Sequence, residues 1–246
     1  MNVERGLTFE RLFNVRDLGG LTTVDGRTVR RGRFFRMDDP TAATPADVDV
    51  LRALGVRGVV DLRTDDEVTQ RGSAAWDELK VRQVRCSVMN FAPPVENYPR
   101  YIEPEFCATE YQRYMDEPEI ARALWRGLAE LSTEPLAVHC ASGRDRTGVV
   151  SALVLACLDV EREQIIHDYS ISAPGMERLM AYFAEHVPHL VPPTEGHRRS
   201  FLATPPECMA AFLEAVDGRW GGVAGYLAEH GLEAEADTLR ANLLEN

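Results

Sequence analysis

Ten residues, His139-Cys140-Ala141-Ser142-Gly143-Arg144-Asp145-Arg146-Thr147-Gly148, set one cysteine and one arginine six positions apart between an apolar run and a helix-forming run. Leu136-Ala137-Val138 reads as a short buried strand, and Thr147 onward, through Val149, Val150, Leu153 and Leu155, reads as a buried helix. The loop between them therefore sits at a helix N-terminus. There, unpaired N–H groups and roughly half a positive charge from the helix favour an anion. Cys140 falls at the base of that centre. A free thiol titrates near pH 8.5, and a helix N-terminus with neighbouring arginines lowers this to roughly 3.5–7.5, so the sulfur is expected as a thiolate. A shift of about three units corresponds to roughly 4 kcal/mol in favour of the charged form. Five intervening residues let the loop close, so that the planar Arg146 fork grips two oxygens of an oxyanion while the sulfur attacks from below.

The pattern Cys, five residues, Arg, Thr, with His before and Gly after, resembles the signature of the protein tyrosine phosphatase superfamily, in the form carried by its bacterial atypical branch. Asn14-Val15-Arg16-Asp17-Leu18-Gly19-Gly20, Arg33-Phe34-Phe35-Arg36 and Val60-Asp61-Leu62-Arg63 look like the N-terminal signatures of that branch, and Gly221 to Leu227 resembles a C-terminal one. The resemblance implies hydrolysis of phosphomonoesters through a cysteinyl-phosphate, without metal or other cofactor. It implies phosphotyrosine protein as substrate, with phosphoserine, phosphothreonine or phosphoinositide as extensions. Cys140 and Arg146 are then catalytic, and Ala141, Ser142, Gly143, Arg144, Thr147 and Gly148 hold the phosphate. Two alternatives stand beside this: a catalytically inactive module that binds phosphorylated ligands, and a sulfurtransferase of the rhodanese kind.

The chain has 246 residues, 45% of them hydrophobic, enough for one substantial core. We expect a single catalytic domain over 1–246, with a helical subdomain from about 160 to 246. Five cysteines (Cys86, Cys107, Cys140, Cys157, Cys208) are widely spaced and odd in number, which argues for a reducing compartment and a cytoplasmic location. No apolar run approaches the roughly 18 residues a membrane span requires, so no stable membrane insertion is expected. Formal net charge is −12, which argues against a nucleic-acid partner. A local cluster of arginines and N–H groups can nonetheless hold phosphate on an acidic protein. Oligomeric state is not legible.

Along the chain, Leu21–Val24 and Arg27–Arg30 flank Asp25-Gly26, a two-residue hairpin signal. Thr44, Pro45 and Gly55 frame a short helix. Val56–Leu62 and Val81–Val88 are strand candidates. Residues 89–109 carry Pro93, Pro94, Pro99 and Pro104, and predict a surface excursion without regular structure near the site. Pro118–Leu131 and the stretches 147–158, 161–171, 175–187, 205–216, 221–230 and 233–244 read as helices. Strands alternating with helices predict an α/β fold: a mostly parallel central sheet flanked by helices, a small N-terminal β-hairpin and an all-helical C-terminal third able to form a lid. Ligands in such sheets bind beyond the strands' carboxyl ends, which puts Asp61–Thr64 and Cys140–Thr147 on one edge.

Asp145 has two readings, a salt bridge beside Arg146 or the general acid that protonates the leaving oxygen. The chain has no Trp-Pro-Asp tripeptide, and the segment around Asn90, Phe91, Pro93 and Pro94 offers Glu96 and Glu103 but no Asp. The resemblance shifts weight to Asp145, with Asp61 next, since the acid must come within about 3 Å of the leaving oxygen. Thr147 starts the helix or bonds the sulfur. His139 is expected to face away and brace loop backbone. Arg144 stands where many members of the branch carry Lys, and a second cation there suits multiply phosphorylated substrates. Arg16, Asp17, Arg36, Asp38, Asp61 and Arg63 form ordinary ion pairs or line the pocket; of these Arg36 and Asp61, with His139, are the pocket candidates. His197, Arg198 and Arg199 predict a mobile basic turn. The remaining cysteines are expected as inert filler.

Overall fold

The computed structural model describes residues 7–88 and 95–245. Five strands form one sheet: β1 (Arg16–Asp17), β2 (Phe34–Met37), β3 (Gly58–Asp61), β4 (Arg82–Arg85) and β5 (Leu136–His139), in the order β1-β2-β5-β3-β4. Only β1 runs antiparallel to its neighbour. β2, β3 and β5 are buried at every residue, as expected of parallel strands covered on both faces. Alternate residues serve opposite faces. Phe34, Val60, Leu136 and Val138 join the larger core, and Phe35, Met37, Val59 and Ala137 join a smaller one with Leu51 and Trp76.

The smaller core is covered by α1 (Pro45–Ala53) and α3 (Ala74–Leu79); between them α2 (Asp65–Arg71) follows β3. Thr44 and Asp47 close a capping box on α1, as Thr64 and Glu67 do on α2. The larger core takes in α4 (Pro104–Gln112), α5 (Pro118–Leu131) and α6 (Asp145–Cys157). The C-terminal third is helical: α7 (Arg162–Ser170), α8 (Ala173–His186), α9 (Glu195–Leu202), α10 (Pro206–Trp220), α11 (Val223–His230) and α12 (Glu233–Leu243). Of these, α10 to α12 pack into the main core through Phe212, Tyr226 and Leu239. Met176, Leu179 and the partly buried Tyr182, Phe183, Phe201 and Leu202 of α8 and α9 gather instead around Phe13 in a separate cluster.

Three local expectations are corrected. The Asp25-Gly26 turn spans three residues, with Thr23 N–H bonded to Arg27 O and Gly26 at φ +85°. The span 89–109 is not free of regular structure: Val95–Arg100 is a short 3-10 helix, and Pro104 opens α4, where its missing N–H has no partner to lose. Asn90, Phe91, Pro93 and Pro94 lie outside the described residues. The basic turn at His197–Arg199 is helix α9, started by Thr194, whose hydroxyl accepts from His197 N–H. Among the described residues no helix is long and apolar enough to cross a membrane.

Candidate active site

The loop from Cys140 to Arg144 leaves β5 at the carboxyl edge of the sheet and enters α6. Its shape is set by what holds its carbonyl groups. Asp39 N–H donates to Ala141 O (3.1 Å), and Asn14 Nδ2 donates to Ser142 O (3.2 Å) and Gly143 O (2.9 Å). Arg36 Nη2 donates to Gly143 O (2.8 Å) and Arg144 O (3.3 Å). In planar trans peptides, fixing these carbonyls outward turns the N–H groups of Ser142, Gly143 and Arg144 to the inner side of the loop. Gly143 sits at φ +68°, and a Cβ there would come within 2.5 Å of Met37 O, so only glycine lets the loop lie against the end of β2. No side chain caps α6, in contrast to α1 and α2, which leaves its first-turn amides for an anion.

The braces are themselves braced from below. Arg16 Nη1 donates to Asn14 Oδ1 (2.6 Å), which fixes the amide's orientation. Arg16 and Arg36 share Asp168 of α7 at 2.9 and 2.7 Å, all three side chains being buried. Burial, reinforced by the charge of Arg36, lowers the Arg16 guanidinium to about 10. Asp38 accepts the Phe13 and Asn14 amides, and burial pushes its carboxyl up to about 6.

Arg36, Asp61 and His139 stand behind the loop and not in the pocket. Arg36 is spent on loop carbonyls and Asp168. Asp61 is clasped by Arg63, which also reaches Asp39. His139 Nε2 accepts from Trp76 Nε1 (3.1 Å), so Nδ1 carries the proton and donates to Cys140 O (3.2 Å). Burial lowers His139 from its usual range, so its approach to Asp61 at 3.6 Å joins a neutral ring to a carboxylate. The ring faces away from the pocket and holds loop backbone.

Cys140 lies at the floor of the loop, 2% exposed. Burial pushes Cys86 up to about 11 and Cys157 to about 12, and the Cys208 hydrogen bond with burial raises Cys107 as well, which keeps those three as neutral thiols. Arg146 is held flat by Glu67 of α2 through two hydrogen bonds, Nη1 to Oε2 (2.6 Å) and Nη2 to Oε1 (2.8 Å), and by Leu62 O (3.2 Å). Burial acts to lower the guanidinium, but Glu67 and the nearby Cys140 sulfur raise it overall. Burial likewise acts to raise Glu67, but Arg146 and the Thr64 amide bring it down to about 2. Glu67 was not legible as a site residue, although Thr64-Asp65-Asp66-Glu67 carries the capping-box spacing that places it.

Asp145 opens α6 with both oxygens engaged, Oδ1 by Tyr111 Oη (2.6 Å) and Oδ2 by Arg144 Nε (2.9 Å). Arg144 does not project as a free second cation. Its Nη1 donates to the carbonyls of Ser200, Phe201 (2.7 Å) and Ala203 (3.4 Å) at the end of α9. The Thr147 hydroxyl is buried without a hydrogen-bond partner, so its bond to the sulfur is not formed.

Clefts lined by described residues adjoin the loop on more than one side. One of about 330 Å³ lies over Arg146 and Asp145, walled by Tyr98, Tyr101, Tyr114 and Glu67. A second, about 440 Å³, shares Tyr98, Arg144 and Asp145 with it and extends to Ser142 under Pro192, Pro193 and Phe201. A third, about 410 Å³, opens beside Ala141 against Phe13, Tyr182 and Phe183. The helices α8 and α9 thus wall the loop. Glu103 is turned to Arg100 (3.1 Å) and lines none of these clefts. Among the described residues no group of three or more His, Cys, Asp or Glu side chains is placed to hold a metal ion.

The model of the tyrosine phosphatase family matches residues 7–245. A protein described as "Putative tyrosine-protein phosphatase" from Cupriavidus necator is 30% identical over 252 residues, covering 97% of this chain and 88% of that protein. The triple specificity protein phosphatase PtpB of Mycobacterium tuberculosis is 27% identical over 272 residues, covering 94% of this chain and 96% of its own. Among solved structures, P. aeruginosa TpbA aligns over 83% of this chain and 90% of its own at 16% identity, with a TM-score of 0.37.

Proposed function

Because the chain belongs to the tyrosine phosphatase family, we propose that the Cys140 loop hydrolyses phosphotyrosine in proteins through a phosphorylated sulfur. The sulfur attacks phosphorus, an S–P bond forms and the P–O bond to the phenol breaks. Arg146 and the inward amides of residues 142–144 hold the remaining oxygens as charge builds on them. Asp145 gives its proton to the departing phenolate oxygen, then takes one from the water that attacks the phosphocysteine and frees inorganic phosphate.

The observation that carries this reading is the outward fixing of the loop carbonyls by Asp39, Asn14 and Arg36, with Arg146 locked by Glu67 on the same edge as the Cys140 sulfur. Asp145 is preferred to Asp61 as the acid because it lines two of the clefts, whereas Asp61 is buried against Arg63. The walls of Tyr98, Tyr101 and Tyr114 suit an aromatic ring. The mycobacterial relative's description as a triple specificity protein phosphatase supports activity beyond a single phosphomonoester class, and phosphoserine, phosphothreonine and phosphoinositide are the extensions that the sequence resemblance implies. The family match leaves the sulfurtransferase alternative without support.

Acid quenching during turnover of a phosphotyrosyl peptide, followed by mass spectrometry, should find one phosphoryl group on the peptide containing Cys140. Cys140→Ser should lose turnover while still binding the peptide. Undiminished hydrolysis by Cys140→Ser would refute the mechanism.

A further inference from the structure

We infer that Tyr111, a residue outside the loop, is the positioning residue for Asp145, holding the carboxyl group where it meets the leaving oxygen. This rests on the reading of Asp145 as the proton donor. A carboxylate on the first turn of a helix is free to rotate about two side-chain bonds, and one that must meet an oxygen within about 3 Å gains from being held. Tyr111 supplies that hold from α4, an element separate from the loop and from α6, through its 2.6 Å bond to Oδ1.

The phenol is rigidly placed. Its ring is fully buried, with Phe212 and Tyr169 against it edge-on at 5.9 and 6.4 Å and Tyr114 at 5.9 Å. Tyr111 Oη lies 3.0 Å from Tyr169 Oη. A phenol has a single proton, and Tyr111 gives its own to Asp145, so Tyr169 must donate to Tyr111. The chain runs Tyr169 to Tyr111 to Asp145 and ends at a group that borders the cleft. Burial raises both phenols above the ordinary tyrosine value, so both stay protonated across the working pH range. Neither phenol lines the two clefts that Asp145 borders, and the hydrogen bond to Asp145 is their polar link to that site.

The test uses kcat/KM for two aryl phosphates, phenyl phosphate, whose leaving group needs a proton, and 2,4-dinitrophenyl phosphate, whose leaving group does not. Asp145→Asn sets the scale. General acid catalysis is worth about a hundredfold or more, so this variant should lose about that much on phenyl phosphate and little on the dinitrophenyl ester. Tyr111→Phe keeps the ring and its packing, and should lose about tenfold on phenyl phosphate and about twofold or less on the other. Tyr169→Phe, which leaves the Tyr111 bond in place, should show the same selectivity at smaller size, and it decides the matter if Tyr111→Phe fails to fold. Equal losses on both substrates in the tyrosine variants, beside a selective loss in Asp145→Asn, would overturn the role of Tyr111 and leave the acid in place. A loss in Asp145→Asn that ignores the leaving group would overturn both.

Discussion

Glu67 both closes the capping box of α2 and grips Arg146, and one carboxylate serving two partners predicts a distinct response to pH. Its folded value near 2 lies below the ordinary 4.5, so the ion pair contributes stability above about pH 4.5 that is lost as pH falls toward 2. With a quarter of the side chain reached by water, that contribution is on the order of 2 kcal/mol at neutral pH. Urea unfolding should show Glu67→Gln less stable than the parent at pH 7, with the gap narrowing by pH 3. Because Gln presents an NH2 group to the guanidinium in place of one acceptor, kcat/KM for an aryl phosphate should also fall about tenfold at pH 7. At this scale Cys140 and Arg146 were legible, since their chemistry is written in one contiguous stretch. Glu67, Asn14 and Asp168 as partners of that stretch were not. Each acts across at least a hundred residues or from a helix without an apolar stripe, and α2 buries none of its residues. The bland reading of Arg16, Arg36 and Asp61 as ion pairs is what the structure holds, but two of those pairs are the scaffold of the loop.

The elements β2, α6 and α7 meet around that scaffold, where two buried arginines depend on one aspartate for compensation. Removing it leaves two uncompensated buried charges, at a cost of about 3–5 kcal/mol. Asp168→Ala should therefore lower Tm by roughly 10 °C in calorimetry and weaken phosphate binding, because Arg36 loses its hold on the loop carbonyls. An unchanged melting curve would mean the triad carries no such weight. Periodicity found the long helices within a few residues, from Pro118–Leu131 to Glu233–Leu243. It failed at 104–112 and 195–202, where proline and basic residues were read as loop signals. Pro104 stands at the one helical position that tolerates it, and Thr194 was a legible cap that the charge of the next residues obscured.

At the scale of the whole molecule, Arg144 ties the end of α9 to the loop. Arg144 reaches three carbonyls at the end of α9 while its Nε holds Asp145. A lysine has neither the fork nor the reach for both. Arg144→Lys should raise amide hydrogen exchange across 195–203 severalfold while β5 stays as protected as in the parent. A mostly parallel sheet and the common edge of β3 and β5 were legible from strand–helix alternation, whereas the strand order was not. The attachment of α9 to the loop was not, because nothing local in either segment points to the other. The outward-facing loop carbonyls have one more effect, on kinetics. The attraction for an oxyanion resides in buried arginines and amides within contact range, while the formal charge of −12 is spread over the exterior. A dianion is thus pushed back at long range and welcomed only on arrival. Raising ionic strength from about 0.01 to 0.15 M shrinks the Debye length from about 30 to 8 Å and shields the outer repulsion first, so capture of small dianionic esters should speed up with added salt, the opposite of electrostatic steering.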